Sequence, residues 1–144
     1  MILADSGFWI ALGNRRDRHH ASALRAAERW SGEGFVSTWP VLTEVTHLLM
    51  ARVSVTQCLA FMQAMTGGAC EVPDLPADAL SRAHDLMRRY RDLPMDLADA
   101  SLVILAEHLD EGRILSTDQR DFAGYRWKNT RPFRNLLSAD PAHP

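Results

Sequence analysis

The chain has 144 residues, of which 47% are hydrophobic and 24% charged, with a formal net charge of -2. These figures give room for one domain with a core, exclude a disordered or fibrous chain, and carry no global cationic signature of a protein that coats nucleic acid. Two cysteines are too few for a disulfide framework, no apolar run reaches the roughly 20 residues of a membrane span, and Met1 to Asp5 lack a basic leader region. The expectation is a reduced, cytoplasmic protein without membrane contact.

An apolar strand over residues 2–4 ends at Asp5, and a short helix over 8–12 is stopped by Gly13 and Asn14. Residues 20–30 carry Ala21, Leu24, Ala27 and Trp30 at helical spacing, which predicts an amphipathic helix with that face inward. A second strand covers 35–37. Thr38 and Pro40 then supply an N-cap and a first-turn proline for a helix whose inward face is Val41, Leu42, Val45, Leu48 and Leu49. A helix near 55–65 is closed by Gly67 and Gly68, and 70–72 reads as a third strand. Asp78 is expected to cap a helix through Tyr90 with Leu80, Ala83, Leu86 and Met87 inward. A strongly apolar helix runs from Asp96 to about 109 with Gly112 as its C-cap. A fourth strand over 113–117 ends at Asp118, and a short fifth lies between 125 and 136. Trp9, Trp30 and Trp39 are assigned to the core. Alternating strands and helices with short apolar strands predict a three-layer α/β/α sandwich around a central parallel sheet, one domain over 1–137 with a frayed tail at 138–144.

Ligands of open parallel sheets bind beyond the carboxyl ends of the strands. Asp5 and Asp118 directly follow two strands, Glu44 lies in the first turns of the helix leaving the second, and Asp96 and Asp99 open another helix on one face. Clustered carboxylates repel one another unless a cation neutralises them. The neighbouring hydroxyls of Ser6, Ser116 and Thr117, with no cysteine or paired histidine, select a hard cation such as Mg²⁺ or Mn²⁺ over zinc. Structural roles compete at each position: Asp96 and Asp99 have capping-box spacing, Glu44 suits a helix N-terminus, and Asp118 suits a turn. Asp5, ending an apolar strand, is costly to bury without a partner.

Ile-Leu-Ala-Asp-Ser at the N-terminus, Val-Leu-Thr-Glu-Val around Glu44, Leu-Ala-Asp-Ala-Ser-Leu-Val around Asp99 and Ile-Leu-Ser-Thr-Asp-Gln-Arg-Asp-Phe around Asp118 follow one another in an order and spacing that resemble the PIN-domain nucleases. The resemblance covers about residues 1 to 125; the segment from Arg126 to Leu137 departs from the pattern. It implies a Rossmann-like fold and Mg²⁺- or Mn²⁺-dependent hydrolysis of RNA, with water attacking in line to leave 5′-phosphate and 3′-hydroxyl ends. The family's catalytic acids fall on Asp5, Glu44, Asp99 and Asp118. Metal ligands fall on Asp5, Asp99 and Asp118, with Asp96 as an extra acid and Asp121 as an accessory one. Small bacterial members resemble the VapC-type toxins, which implies a homodimer and a cognate antitoxin as partners.

For the RNA substrate the candidate contacts are Ser6, Thr117 and Arg120, with the clusters Arg15, Arg16, Arg18 and Arg88, Arg89, Arg91 as further cations. Two other functions compete. One is a phosphoryl-transfer domain, which in its phosphatase form wants a second aspartate where Gly7 stands, and in its phospho-acceptor form needs Lys128, the one lysine. The other is a protein-interaction module using residues 8–12 and the Met62/Met65 region.

Overall fold

The computed structural model describes residues 1–137, and the frayed tail expected at 138–144 lies outside them. The chain runs β1 (Ile2–Ala4), α1 (Ser6–Gly13), α2 (His20–Trp30), β2 (Phe35–Val36), α3 (Trp39–Arg52) and α4 (Val55–Thr66). It continues through α5 (Ala79–Arg89), α6 (Leu97–Leu109), β3 (Arg113–Leu115), α7 (Gln119–Gly124), β4 (Arg126–Trp127), β5 (Arg131–Pro132) and β6 (Arg134–Asn135). The sheet order is β2-β1-β3-β6 and every pairing in it is parallel. All three residues of β1 are fully buried, so both faces of the central strand are covered, as a parallel sheet between helices requires. The expected α/β architecture is therefore the observed one.

With strands of only two or three residues, the backbone ladder is short, and side chains lengthen it at the carboxyl end. Ser37 Oγ donates to the Ala4 carbonyl at 2.9 Å. The Asn135 amide behaves as one more rung: its Oδ1 accepts from Ser116 N at 3.2 Å and its Nδ2 donates to Ser116 O at 2.8 Å. Thr38 and Ser101 pair their hydroxyls at 2.6 Å and tie the start of α3 to α6, whose residues Ala98 and Ala100 through Ala106 are buried.

Several expectations change. The strand at 70–72 reduces to one parallel bridge, Glu71 beside Val36. The short fifth strand resolves into the β4–β5 hairpin plus β6. Asp78 makes no side-chain cap bond, and α6 ends on Asp110 in the left-handed region rather than on Gly112. Gly112 answers to packing instead, because a Cβ there would meet the Trp127 indole at 2.6 Å. The inward face of α2 is Ser22, Ala23 and Ala26, small residues that permit close approach, while Leu24 is 48% exposed. Leu80 is 76% exposed, Met87 is also exposed, and α5 buries only Ala83 and Leu86. Trp39 is 65% exposed at the first turn of α3, so it is no part of the core.

Gly7 sits where α1 passes the turn after β3, and a Cβ there would collide with Thr117 Oγ1. Gly7→Ala should lower stability by about 1–3 kcal/mol, with part of the loss recovered when Thr117→Ala is combined with it. Thermal unfolding of the two variants measures this; an unchanged melting temperature in the single variant would refute the packing argument.

Candidate active site

The carboxylates are placed by local structure before any tertiary contact acts on them. Asp5 is the N-cap of α1 and its Oδ1 accepts from Ser6 N at 2.7 Å. Asp118 is the N-cap of α7 and accepts from Asp121 N at 3.1 Å. Asp96 caps α6 and accepts from Asp99 N at 2.8 Å, while Asp99 reaches back to Asp96 N at 3.4 Å. A helix N-terminus favours negative charge, so each turn supplies a cheap site for an acid. The capping box does not remove Asp99 from the cleft, so its two possible placements are compatible.

Tertiary hydroxyls join these turns. Ser116, fully buried after β3, donates to Asp5 Oδ2 at 2.9 Å and accepts from Asp118 N at 3.0 Å. Ser6 Oγ donates to Glu44 Oε1 at 2.9 Å and stands 3.3 Å from Asp5 Oδ1. Tyr125, also fully buried, directs its hydroxyl at the Pro94 carbonyl (3.0 Å) and at Asp99 Oδ2 (3.3 Å).

Above them, at the carboxyl end of the sheet, lies a cavity of about 340 Å³. Asp5, Glu44, Asp96, Asp99, Asp118 and Asp121 face it with Ser6 and Thr117, and Arg52 is the one basic side chain in its lining. Asp5 is 5% exposed and has no ion pair among the described residues. Burial pushes its carboxyl up to about 6; Ser6 and Ser116 pull against that, and Glu44 adds to it. Asp99 is pushed up to about 8, first by burial and then by the charges of Asp96 and Asp5. Asp121 rises to about 6 through burial and the nearness of Asp118.

Arg120 is exposed and does not line the cavity, although its charge opposes the rise at Asp121. Arg88 pairs with Asp85 at 3.8 Å, and Arg89 donates to Asn129 at 2.9 Å. Three residues at the site escaped the sequence reading. Arg52 carried a signal, since Glu44, Leu48 and Arg52 follow one another at helical stride and all line the cleft. Tyr125 and Asn135 carried none, because their partners lie 26 and 19 residues away.

A buried carboxylate without an ion pair among the described residues, crowded by further acids and joined to them by hydroxyls, is the donor chemistry of a hard dication. Neither cysteine nor histidine lines the cleft. Among the described residues no three His, Cys, Asp or Glu side chains are already gathered as a metal cage. The fit is thus one of charge and donor type.

Alongside this cleft at the strand ends, the chain is similar to VapC proteins in sequence and in fold. No protein-family model matches it. It is 27% identical over 125 residues to ribonuclease VapC26 of Mycobacterium tuberculosis, covering 87% of this chain and 92% of that protein. The crystal structure of M. tuberculosis VapC20, described as a sarcin–ricin-loop-cleaving toxin, superposes with a TM-score of 0.76 at 23% identity over 92% of this chain and all of that one. VapBC2 from Rickettsia felis, crystallised on a DNA fragment from its promoter, gives 0.61 at 12% identity over 82% of this chain and 89% of that one.

In EDTA, Asp5 and Asp99 bind protons more tightly folded than unfolded, where carboxylates titrate near 4. Their contribution is therefore present below about pH 4 and lost as pH rises towards about 8. The melting temperature should fall across that window, and less steeply in Asp99→Asn; parallel slopes for the two proteins would contradict the crowding. The Tyr125 hydroxyl favours ionised Asp99. Tyr125→Phe should accordingly move the Asp99 titration, followed by carboxyl NMR, still higher.

Proposed function

We propose that this chain is a metal-dependent endoribonuclease, the toxin of a toxin–antitoxin pair. The observation that carries the reading is the convergence of six carboxylates, one of them buried without a cation, on a cleft at the strand ends. The likeness to proteins described as VapC ribonucleases and toxins supports RNA as substrate.

Asp5, Asp99 and Asp118 would hold Mg²⁺ or Mn²⁺, with Asp96 beside them and Glu44 completing the set. When bound, the cation supplies neutralisation of the acids, a water of lowered pKa and stabilisation of charge on the phosphoryl oxygens. The protein's own part is positional. Ser116 and Ser6 N fix both oxygens of Asp5, Ser6 Oγ ties Glu44 to it, and Tyr125 orients Asp99. Thr117 offers a hydroxyl to a phosphate oxygen at the cleft. In-line attack by water leaves 5′-phosphate and 3′-hydroxyl ends and needs no protein nucleophile.

Phosphoryl transfer through a second aspartate at position 7 fits poorly, since Thr117 leaves no room there for a side chain. Lys128 is equally unsuited to a phospho-acceptor role: its Nζ pairs with Asp110 at 2.7 Å and does not line the cleft. A protein partner such as a cognate antitoxin has separate support. An apolar cavity of about 630 Å³ lies between α1, α2 and α4, lined by Trp9, Leu12, Leu24, Phe61 and Met65, and the buried Trp9 Nε1 has no acceptor among the described residues. Exposed Val55, Leu59 and Met62, at helical stride on α4, support self-association into a homodimer.

The test is cleavage of structured RNA by purified protein with Mg²⁺, Mn²⁺ or EDTA. Cutting should require the metal and fall by about two orders of magnitude or more in Asp5→Asn and Asp99→Asn, with both variants still folded. Wild-type activity in either variant would overturn the assignment.

A further inference from the structure

A polyanion that enters a cleft lined by six carboxylates is repelled on every side except that of Arg52, the single basic residue in the lining. Arg52 also lines a second cavity, of about 320 Å³, where the ends of α1 and α3 meet the first turns of α4. Arg15, Arg16 and Gln57 face this second space, and no acidic side chain does. The two cavities are thus of opposite character and share one guanidinium.

All three arginines are exposed, and among the described residues none of their guanidinium groups makes a hydrogen bond or ion pair. Elsewhere in the chain Arg82, Arg113 and Arg131 are each committed to a carboxylate, at 2.8, 2.6 and 3.3 Å. The backbone that presents Arg15 and Arg16 is fixed by Asn14, whose Oδ1 accepts from Arg16 N at 3.1 Å. Three uncommitted guanidinium groups on an ordered turn and a helix end suit bidentate contact with phosphate.

We propose that the groove of Arg52, Arg15 and Arg16 binds the RNA backbone next to the scissile phosphate, so that the strand leaves the acidic cleft past Arg52 towards the end of α1. The proposal rests on the ribonuclease reading and adds where the substrate lies. The acids select one phosphate through a bound cation, and the arginines hold its neighbours, which the acids alone would expel.

The test compares the full-length protein with its R15A/R16A/R52A variant. Fluorescence anisotropy with a labelled 12-nucleotide single-stranded RNA in EDTA, across 50–200 mM salt, reads affinity and its salt dependence. The variant should bind about tenfold or more weakly, with the slope of log affinity against log salt reduced by about 2, the loss of three phosphate contacts on a single strand. Mn²⁺ binding by calorimetry should be no weaker than in the wild type, because none of the three is a proposed metal ligand and the loss of Arg52 removes a positive charge from the cleft. Unchanged affinity and slope in the variant would overturn the groove. Failure of the ribonuclease reading looks different: the wild type would neither cut RNA nor bind Mn²⁺, whatever the arginine substitutions do.

Discussion

The arrangement depends on a carboxylate that the fold places inside itself. Asp5 ends a strand buried on both faces, and its own exposure is only a few per cent. Such a group is tolerated where each oxygen has a donor, and Ser6 N and the Ser116 hydroxyl supply one apiece. Those donors come from the two elements that flank the strand's end. The burial of one side chain therefore fixes the relation of α1 to the turn after β3, and Gly7 makes that approach sterically possible.

Around Asp5 the remaining acids reach the cleft by a common device. Asp96 and Asp118 are helix caps, Asp99 answers Asp96 across a first turn, and Glu44 follows the opening of α3. Each is stabilised locally by backbone N–H groups or a helix dipole. Their mutual repulsion is a tertiary cost laid on top of that gain, and it appears as the raised titration of Asp5, Asp99 and Asp121. A site that is locally favourable and collectively strained is poised to take up positive charge.

The amino-acid sequence made much of this legible because the informative signals are local. An apolar run ending in aspartate, a threonine–proline helix start and acids three residues apart each specify a short stretch of backbone, and the strand ends then bring the stretches together. Expectations failed where a local pattern was ambiguous about facing. Leu24 and Leu80 fit an inward stripe by spacing, but small residues such as Ala23, Ala26 and Ala83 take the packed positions and the large ones turn outward. Tyr125 and Asn135 were invisible for another reason. Asn135 lies in the segment from Arg126 to Leu137 that departs from the family pattern, Tyr125 immediately precedes it, and the roles of both come from partners distant in the chain.

That segment is clasped to the body by polar contacts. Arg82 bridges Glu107 and Asn129, Glu107 accepts from Lys128 N at 2.7 Å, and Lys128 and Asn129 turn the hairpin with positive φ. The clasp sets Tyr125 under Asp99 and lays β6 beside β3, next to the Ser116 hub. During synthesis these are the last described parts to emerge from the ribosome, long after Asp5 and Glu44. A nascent chain thus carries its acids before Asn135, which braces the Ser116 backbone, is free to dock.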